Sequence, residues 1–224
     1  MKTIGIFGGL GPESTAAYYE YITRKYYETR RDYAYPEIVI YSVNFKEYID
    51  AGYDRPDAVK DAICRLHRAG ADFVVASCNS IHIVYDRICD DLPIPWVSIM
   101  DATADEILRR GQRKVGLLGT IYTMSKGFYQ RAFAKRGIET LTPSPKDQKR
   151  MNDIIFGELI TAKVTPESKA FGLGLVDELA SQGAEGVVLG CTEIPFLIQQ
   201  ADTSTPVYDT TVIHAQKALD LAME

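Results

Sequence analysis

The sequence predicts an α/β protein made of two similar halves, each a parallel β-sheet with helices on both faces. Two observations lead to this fold class. Short runs of apolar and β-branched residues alternate with helical patterns along the chain, which is typical of parallel sheets covered by helices. In addition, residues 69–79 align with residues 182–192 at an offset of 113 positions. An internal match of this kind indicates a duplicated structural unit.

The first half contains four predicted strands that are rich in aliphatic, β-branched and aromatic residues. They lie at residues 3–7, 37–43, 73–76 and 96–98. Helical patterns separate them, near residues 13–30, 55–69 and 80–90. The regular alternation of strand and helix is the pattern of consecutive βαβ units.

The second half continues the same alternation. Its predicted strands lie at residues 114–118, 139–141 and 186–189. Its predicted helices cover residues 125–136 and 146–161, a stretch that opens at Thr165, and a last helix from about Thr210. Pro166 directly after Thr165 is a helix-start signal, because the missing N–H of proline is not needed in the first turn.

Two further matches support the internal repeat. Residues 4–8 align with residues 115–119, and residues 95–97 with residues 206–208, both at an offset of 111 positions. Three matches in the same order and at nearly the same offset predict two α/β halves of roughly a hundred residues each.

In both halves a short apolar strand leads into a cysteine followed by a polar residue, Cys78-Asn79 and Cys191-Thr192. Ligands of open α/β sheets bind beyond the carboxyl ends of the strands. If the two halves pack face to face, the cysteines would lie on opposite sides of one cleft.

Two thiols on opposite sides of a substrate suit the transfer of a proton from one face of a carbon to the other. A thiolate would remove the α-proton of an amino acid while the second thiol supplies a new one. A thiol pKa of about 8.5 falls at helix N-termini, and we interpret the positions of both cysteines as strand-to-helix turns. Asn79, Ser80 and Thr192 would add neutral hydrogen-bond donors.

Composition and charge narrow the function classes. The net charge of −5 disfavours nucleic acid and anionic membranes as partners. No apolar run is long enough to span a bilayer and no signal peptide is recognisable, so we expect a cytoplasmic protein. The chain has four cysteines without a C-x-x-C pair and only three histidines. We therefore expect free thiols and no metal site.

Other residues have competing interpretations. The loop at residues 8–14 resembles a dinucleotide-binding loop, but Ser14 replaces the third glycine and the second strand leads to Asn44 where an acid is needed. We interpret the loop around Leu10 as a site where backbone N–H groups meet a small anion. Cys64 and Cys89 are expected to be core or near-surface thiols. Two histidines also have two interpretations: His82 and His214 could each line a site or be a hydrogen-bonded structural residue.

At four places the chain resembles the aspartate/glutamate racemase family, and the similarity runs along nearly its whole length. The matching segments are Ile4-Gly5-Ile6-Phe7-Gly8-Gly9, Ser77-Cys78-Asn79-Ser80-Ile81-His82, Leu118-Gly119-Thr120 with Thr123, and Gly190-Cys191-Thr192-Glu193-Ile194. The last of these is the most specific.

The resemblance implies two flavodoxin-like domains with the active site at their interface, no pyridoxal phosphate or other cofactor, no metal and a homodimer. It places the first domain at residues 1–98 with a returning C-terminal helix at residues 210–224, and the second at residues 99–209. It implies Cys78 and Cys191 as the acid–base pair. Binding of the α-carboxylate and amino group falls to Asn79, Ser80, Thr120, Thr123 and Thr192, to which we add Leu10 and Asn44.

The substrate is the least determined part of this prediction. Some aspartate racemases carry an arginine shortly after the second strand, whereas residues 44–49 here contain only Lys46 as a cation. Lys46, Arg150 or Lys163 could replace it, and Lys163 is preferred because it lies between two predicted helices. We expect racemisation of aspartate. The alternatives are a glutamate, broad-specificity or hydantoin racemase, and a non-catalytic two-lobed protein that binds a small molecule.

Overall fold

The computed structural model describes residues 1–224, apart from the side chain of Pro12. The chain forms two compact units. The first comprises residues 1–102 and 211–224, and the second comprises residues 103–210. Each unit has its own parallel sheet and its own hydrophobic core.

The described residues form seven strands in two parallel sheets. In chain order they are β1 (Ile4–Gly8), β2 (Ile38–Ser42), β3 (Phe73–Ala76), β4 (Lys114–Gly119), β5 (Glu139–Leu141), β6 (Val187–Gly190) and β7 (Val207–Asp209). The first sheet has the order β2-β1-β3, and the second has the order β5-β4-β6-β7. An isolated parallel bridge between Val74 and Trp96 extends the first sheet at the position that β7 takes in the second.

Eleven α-helices connect and cover these strands within the described residues. They are α1 (Pro12–Arg30), α2 (Phe45–Asp50), α3 (Pro56–Arg68), α4 (Tyr85–Ile88), α5 (Ile99–Arg109), α6 (Ile121–Ser125), α7 (Phe128–Ala134), α8 (Pro145–Gly157), α9 (Pro166–Ser181), α10 (Ile194–Leu197) and α11 (Thr210–Met223). Short 3₁₀ segments lie at Ser80–Val84, Cys89–Asp91, Leu159–Thr161 and Gln200–Asp202. None of the described helices combines the length and hydropathy that crossing a bilayer requires.

The two sheets confirm the predicted α/β class with two parallel-sheet halves. In both, the first strand of the half is central, the second strand lies at one edge, and the third strand pairs on the other side. The duplicated sequence segments therefore occupy equivalent strands, since β1 corresponds to β4 and β3 to β6.

The core of the first unit lies between its sheet and two helices. Ile4 and Ile6 of β1 are fully buried against Tyr18 of α1 and Ala215 and Leu219 of α11. Small alanine side chains on one face of α11 allow the helix to approach the strands closely. A backbone hydrogen bond of 2.9 Å from the N–H of Lys2 to the carbonyl of Ala222 joins the two chain termini.

The core of the second unit is a separate cluster of buried aliphatic side chains. Its members come from β4, β6, α8, α9 and α10, and include Leu118, Leu189, Met151, Leu175, Val176, Leu179, Ile194 and Leu197. Cys191 is part of the same cluster, which places the turn after β6 against an apolar floor. Burial of this kind fixes the backbone of that turn.

Three predicted elements were wrong in their extent. The strand at residues 96–98 is reduced to a single bridge, because Ser98 turns the chain out of the sheet and its hydroxyl accepts from the N–H of Asp101 in α5, at 3.0 Å. The helix predicted at residues 125–136 is shortened to α7, because Gly127 directly before it adopts a positive φ of 76°. The helix at residues 80–90 is a series of 3₁₀ and short α segments.

Four helices were not predicted: α2, α5, α10, and α6, of which only Ser125 falls inside a predicted helix. In α2 only Tyr48 is buried, so its sequence shows little periodicity. The α5 segment follows directly on the predicted strand at residues 96–98, and its capping residue, Ser98, was included in that strand.

Candidate active site

Cys78 lies two residues beyond the end of β3, in a turn that is almost entirely buried. Its exposed fraction is 8%, and the neighbouring Asn79 and Ser80 are 2% and 3% exposed. The N–H of Ser77 donates to the carbonyl of Phe7 at 3.0 Å, which ties the start of the turn to β1. The turn is therefore fixed before a substrate arrives.

His82 holds the backbone of Cys78 in place. The N–H of Ile99 donates to His82 Nε2 at 3.3 Å, so this nitrogen carries the lone pair and Nδ1 carries the proton. Nδ1 donates to the carbonyl oxygen of Cys78 at 3.0 Å. Complete burial lowers the pKa of His82 to about 4, so that the ring is neutral at physiological pH. His82 is a positioning residue and not a cationic acid.

His214 on α11 is the second buried histidine of this unit. Its Nε2 donates to the carbonyl of Val97 at 3.0 Å, and its Nδ1 accepts from the hydroxyl of Tyr18 at 2.8 Å. Burial, with a smaller contribution from nearby His82, lowers its pKa to about 3. Both histidines thus have a structural role, which is one of the two roles that the sequence left open.

The glycine loop after β1 is tied to the turn after β3 by hydroxyl groups. Thr15 Oγ1 accepts from the N–H of Gly9 at 2.9 Å and lies 3.2 Å from Ser77 Oγ. A Cβ on Gly8 would lie only 2.5 Å from the Thr15 methyl, so glycine is required for this approach. Leu10 in the same loop has a buried side chain, 3% exposed. Its contribution to a site would therefore come from the backbone.

Asn44 lies at the carboxyl end of β2 and caps α2. Its Oδ1 accepts from the N–H of Lys46 at 3.2 Å, and its Nδ2 donates to Glu47 Oε1 at 3.3 Å. A cavity of about 650 Å³ in the first unit is lined by Asn44 together with Gly9, Thr15, Tyr19, Ile40 and Ser42. The structure therefore brings Asn44 and the glycine loop to one cavity at the carboxyl ends of β1 and β2.

Cys191 directly follows β6 in the second unit and is also 8% exposed. Its Sγ donates a hydrogen bond of 2.9 Å to Oε2 of Glu193. The hydroxyl of Thr192 donates to the same oxygen, also at 2.9 Å. Glu193 is 7% exposed, and sequence reasoning did not single it out. The available signal was a carboxylate two residues after the cysteine, beside an apolar run.

Thr120 and Thr123 form the turn after β4. The N–H of Thr123 donates to Thr120 Oγ1 at 3.3 Å, which caps α6, and the two hydroxyl oxygens lie 3.3 Å apart. Gly119 pairs in register with Gly190, and a Cβ on Gly119 would lie 2.8 Å from the Gly190 carbonyl. This close approach places the threonine turn beside the Cys191 turn.

The three cations considered for a substrate carboxylate have different surroundings. Lys46 pairs with Asp50 at 2.8 Å, and the guanidinium of Arg150 lies 4.0 Å from the centre of the Phe171 ring. Lys163 is exposed, in the connection between the 3₁₀ segment at Leu159–Thr161 and α9. Among the described residues, none forms an ion pair with it.

The helix N-termini expected to favour thiolates are short. A 3₁₀ segment of five residues, Ser80–Val84, follows the Cys78 turn, and the four-residue α10 follows the Cys191 turn. Because the dipole of a helix builds up over aligned peptide units, these turns supply individual N–H donors more than a helix dipole. The described residues contain no group of three or more His, Cys, Asp or Glu that could hold a metal. No cysteine is in a disulfide.

With this geometry established, comparison with known proteins gives the family. The model of the Asp/Glu/hydantoin racemase family matches residues 7–218. The chain belongs to this racemase family. Membership supports a racemase, which is an isomerase, and the fold agrees with solved racemase structures.

Relatives match this racemase over almost its whole length. The broad specificity amino-acid racemase RacX of Bacillus subtilis (strain 168) is 27% identical over 226 residues, which covers 96% of both chains. The crystal structure of a putative Asp/Glu racemase from Yersinia pestis is 37% identical, with a TM-score of 0.92 and complete coverage of both chains. An aspartate racemase homologue from Pyrococcus horikoshii OT3 is 40% identical, with a TM-score of 0.87 and complete coverage.

Proposed function

We propose that this protein racemises an acidic amino acid, preferably aspartate, without a cofactor, and that Cys78 and Cys191 are its two proton-transfer groups. One observation carries the proposal. In a member of the racemase family, two thiols with the same 8% exposure follow strands that are equivalent in the internal repeat. A duplicated fold that places a thiol after the equivalent strand of each copy suits a reaction in which a proton is removed from one face of a carbon and added to the other.

The proposed reaction transfers protons only. The thiolate of Cys78 takes the α-proton, and the electron pair of the broken Cα–H bond is delocalised into the carboxylate of the substrate. The thiol of Cys191 gives its proton to the opposite face of Cα and becomes a thiolate. The roles are reversed for the other enantiomer, so the same two groups serve both directions.

Neutral donors would bind the α-carboxylate and the amino group. Asn79 and Ser80 follow Cys78, Thr192 follows Cys191, and the turn formed by Thr120 and Thr123 lies beside the latter. Leu10, through its backbone, and Asn44 complete the proposed set. Fixed donors aimed at a carboxylate stabilise the additional charge that this group gains when the α-proton leaves.

We assign the side-chain carboxylate of the substrate to Lys163. An ammonium that is already paired, such as that of Lys46, would have to give up its partner to bind the substrate. The similarity to an aspartate racemase homologue at 40% identity supports aspartate. The similarity to a broad specificity amino-acid racemase supports a second candidate, in which several amino acids are accepted.

The test is exchange of the α-proton in deuterated water, followed by NMR, with inversion followed by chiral chromatography. L- and D-aspartate and L- and D-glutamate are offered to the wild-type protein and to Cys78→Ser and Cys191→Ser. We expect exchange and inversion of aspartate by the wild type, and a loss of inversion by at least a thousandfold in each variant, since each lacks one proton-transfer group. Cys64→Ser and Cys89→Ser are the matched controls and should retain activity.

Two results would contradict the proposal. Inversion at the wild-type rate by Cys78→Ser or Cys191→Ser would remove the two-thiol mechanism. No exchange with any of the four amino acids would exclude an acidic substrate and leave the hydantoin, broad-specificity and binding-protein alternatives.

A further inference from the structure

The carboxylate of Glu193 makes the two thiol sites chemically unequal. We propose that Glu193 is a positioning residue that holds Cys191 as the protonated thiol in the resting protein, so that Cys191 begins as the acid and Cys78 as the base. The catalytic meaning of this inference rests on the proposed function, whereas its effect on the thiol does not.

The hydrogen-bond geometry carries the first step. The thiol of Cys191 donates to Oε2 of Glu193 at 2.9 Å, which is short for a sulfur donor. Thr192 donates to the same oxygen at 2.9 Å and so fixes the carboxylate in place. A carboxylate at this distance favours the protonated thiol in two ways: it accepts a hydrogen bond from the S–H group, and its negative charge repels a thiolate.

The internal repeat supplies the comparison. At the offset of 113 positions that aligns Cys78 with Cys191, Glu193 is equivalent to Ser80. Both residues are buried, at 7% and 3% exposure. The turn of Cys78 thus has a neutral hydroxyl where the turn of Cys191 has a carboxylate. A carboxylate therefore occupies this position of the repeat in only one of the two halves.

Glu193 is the carboxylate that the thiol of Cys191 contacts directly. The elements that pack around this turn, β4, α8 and α9, contribute apolar side chains to the shared cluster. Of the other ionisable groups on the neighbouring elements, Glu158 accepts from Ser168 at 2.6 Å, Lys169 pairs with Asp202 at 2.8 Å, and Lys163 is exposed. The neighbouring strand β7 adds the half-buried carboxyl of Asp209, which stands in register with Leu189, two residues before Cys191.

The proton accounting follows from this asymmetry. At rest the pair is a Cys78 thiolate and a Cys191 thiol bonded to Glu193. One turnover moves the α-proton to Cys78 and the Cys191 proton to Cα, which leaves a Cys191 thiolate beside a carboxylate. The two adjacent anions repel each other. Cys191 therefore regains a proton from water while Cys78 releases one, and the resting form is restored.

The experiment measures the alkylation of each cysteine by iodoacetamide between pH 6 and pH 10, with peptide mass spectrometry to separate the four sites. Only the thiolate reacts, so the rate reports ionisation. In the wild type, we expect Cys191 to react more slowly than Cys78 at pH 7, although both are 8% exposed. Glu193→Gln should speed the alkylation of Cys191 about tenfold at pH 7 and leave that of Cys78 unchanged, since removal of the adjacent negative charge favours the thiolate.

Glu158→Gln is the matched control, because it removes a carboxylate of the same unit that bonds hydroxyl groups and not the thiol. Glu193→Asp keeps the charge and should remain close to the wild type. Equal wild-type rates for the two cysteines, or a Cys191 rate unchanged in Glu193→Gln, would overturn the inference. The wild-type comparison decides the matter even if Glu193→Gln fails to fold.

These measurements need no turnover, so they separate the two proposals. Absence of α-proton exchange with normal slow alkylation of Cys191 would refute the racemase mechanism and keep the role of Glu193. Exchange and inversion together with fast alkylation of Cys191 would do the reverse.

Discussion

Acid should destabilise the first unit through its two buried histidines. Burial lowers the pKa of His82 to about 4 and that of His214 to about 3, compared with about 6.5 in an unfolded chain. Between these values and pH 6.5 the unfolded chain binds two protons that the folded chain does not. The free energy of unfolding is therefore highest above pH 6.5, falls as the pH decreases, and levels off below the folded pKa values.

The size of this effect follows from linkage. Each group contributes a slope of up to about 1.4 kcal/mol per pH unit. From pH 7 to pH 5 the loss is about 2 kcal/mol for one histidine and about 4 kcal/mol for both. This loss is a large part of the free energy of unfolding of a typical domain, which is about 5–15 kcal/mol.

Trp96 provides the assay. It is the single tryptophan of the chain, it is 4% exposed, and its ring centre lies 4.8 Å from that of His82, so its fluorescence reports the unfolding of the first unit. Urea unfolding at pH 7, 6 and 5 would compare the wild type with His82→Gln and His214→Gln. Each variant loses one titrating group and should show about half of the wild-type loss between pH 7 and pH 5.

The third histidine serves as the control. His67 is exposed at the end of α3, and His67→Gln should keep the full pH dependence. The loss of hydrogen bonds lowers the stability of a variant at every pH, but this loss cancels in the measured quantity, which is the difference in unfolding free energy between two pH values. The reasoning is refuted if His82→Gln and His214→Gln both retain the slope of the wild type.

Two further predictions concern α9 and Lys163. Gly174→Ala should raise the free energy of unfolding by about 0.5–1 kcal/mol, because a Cβ at this position meets nothing within 4 Å. Gly172→Ala should lower it by about 1 kcal/mol, because a Cβ there would lie 2.9 Å from Leu197 Cδ2. Thermal unfolding of the pair checks this, and shifts of the same sign would contradict it. Lys163→Met should raise the KM for aspartate at least tenfold without changing thermal stability, with Lys46→Met as the control, and an unchanged KM would remove Lys163 from the site.

The strands were the most predictable part of the fold. Buried parallel strands are continuous apolar runs, and β3 and β5 were predicted with the same bounds that the structure shows. The division between α6 and α7 depends on the backbone conformation of one residue, Gly127, which the sequence allows but does not require. The isolated bridge at Trp96 is set by the competition between sheet pairing and the Ser98 cap, which local sequence does not resolve.

Site residues that occur at equivalent positions of both halves could be predicted from the sequence. Residues that occur in only one half were harder to predict. Cys78 and Cys191 stand out because the same residue follows equivalent strands. Glu193 has no such counterpart in the first half, so its hydrogen bond with the thiol is visible only in the structure. Two roles were open for His82 from the sequence, and only its contacts with Ile99 and the carbonyl of Cys78 distinguish them.

The two halves share the same backbone arrangement after their central strands but differ in the side chains near their cysteines. At the end of each central strand a glycine lies against a threonine of the following segment, Gly8 against Thr15 and Gly119 against Thr123, and a Cβ would come within 2.5 Å and 2.9 Å of the respective threonine carbon. Sterics of this kind constrain both copies equally, because the turns must pass close to the neighbouring strand. The residue two positions after each cysteine differs between the copies, since it is Ser80 in the first and Glu193 in the second, both of them buried. This difference is what would let one thiol start as an acid and the other as a base.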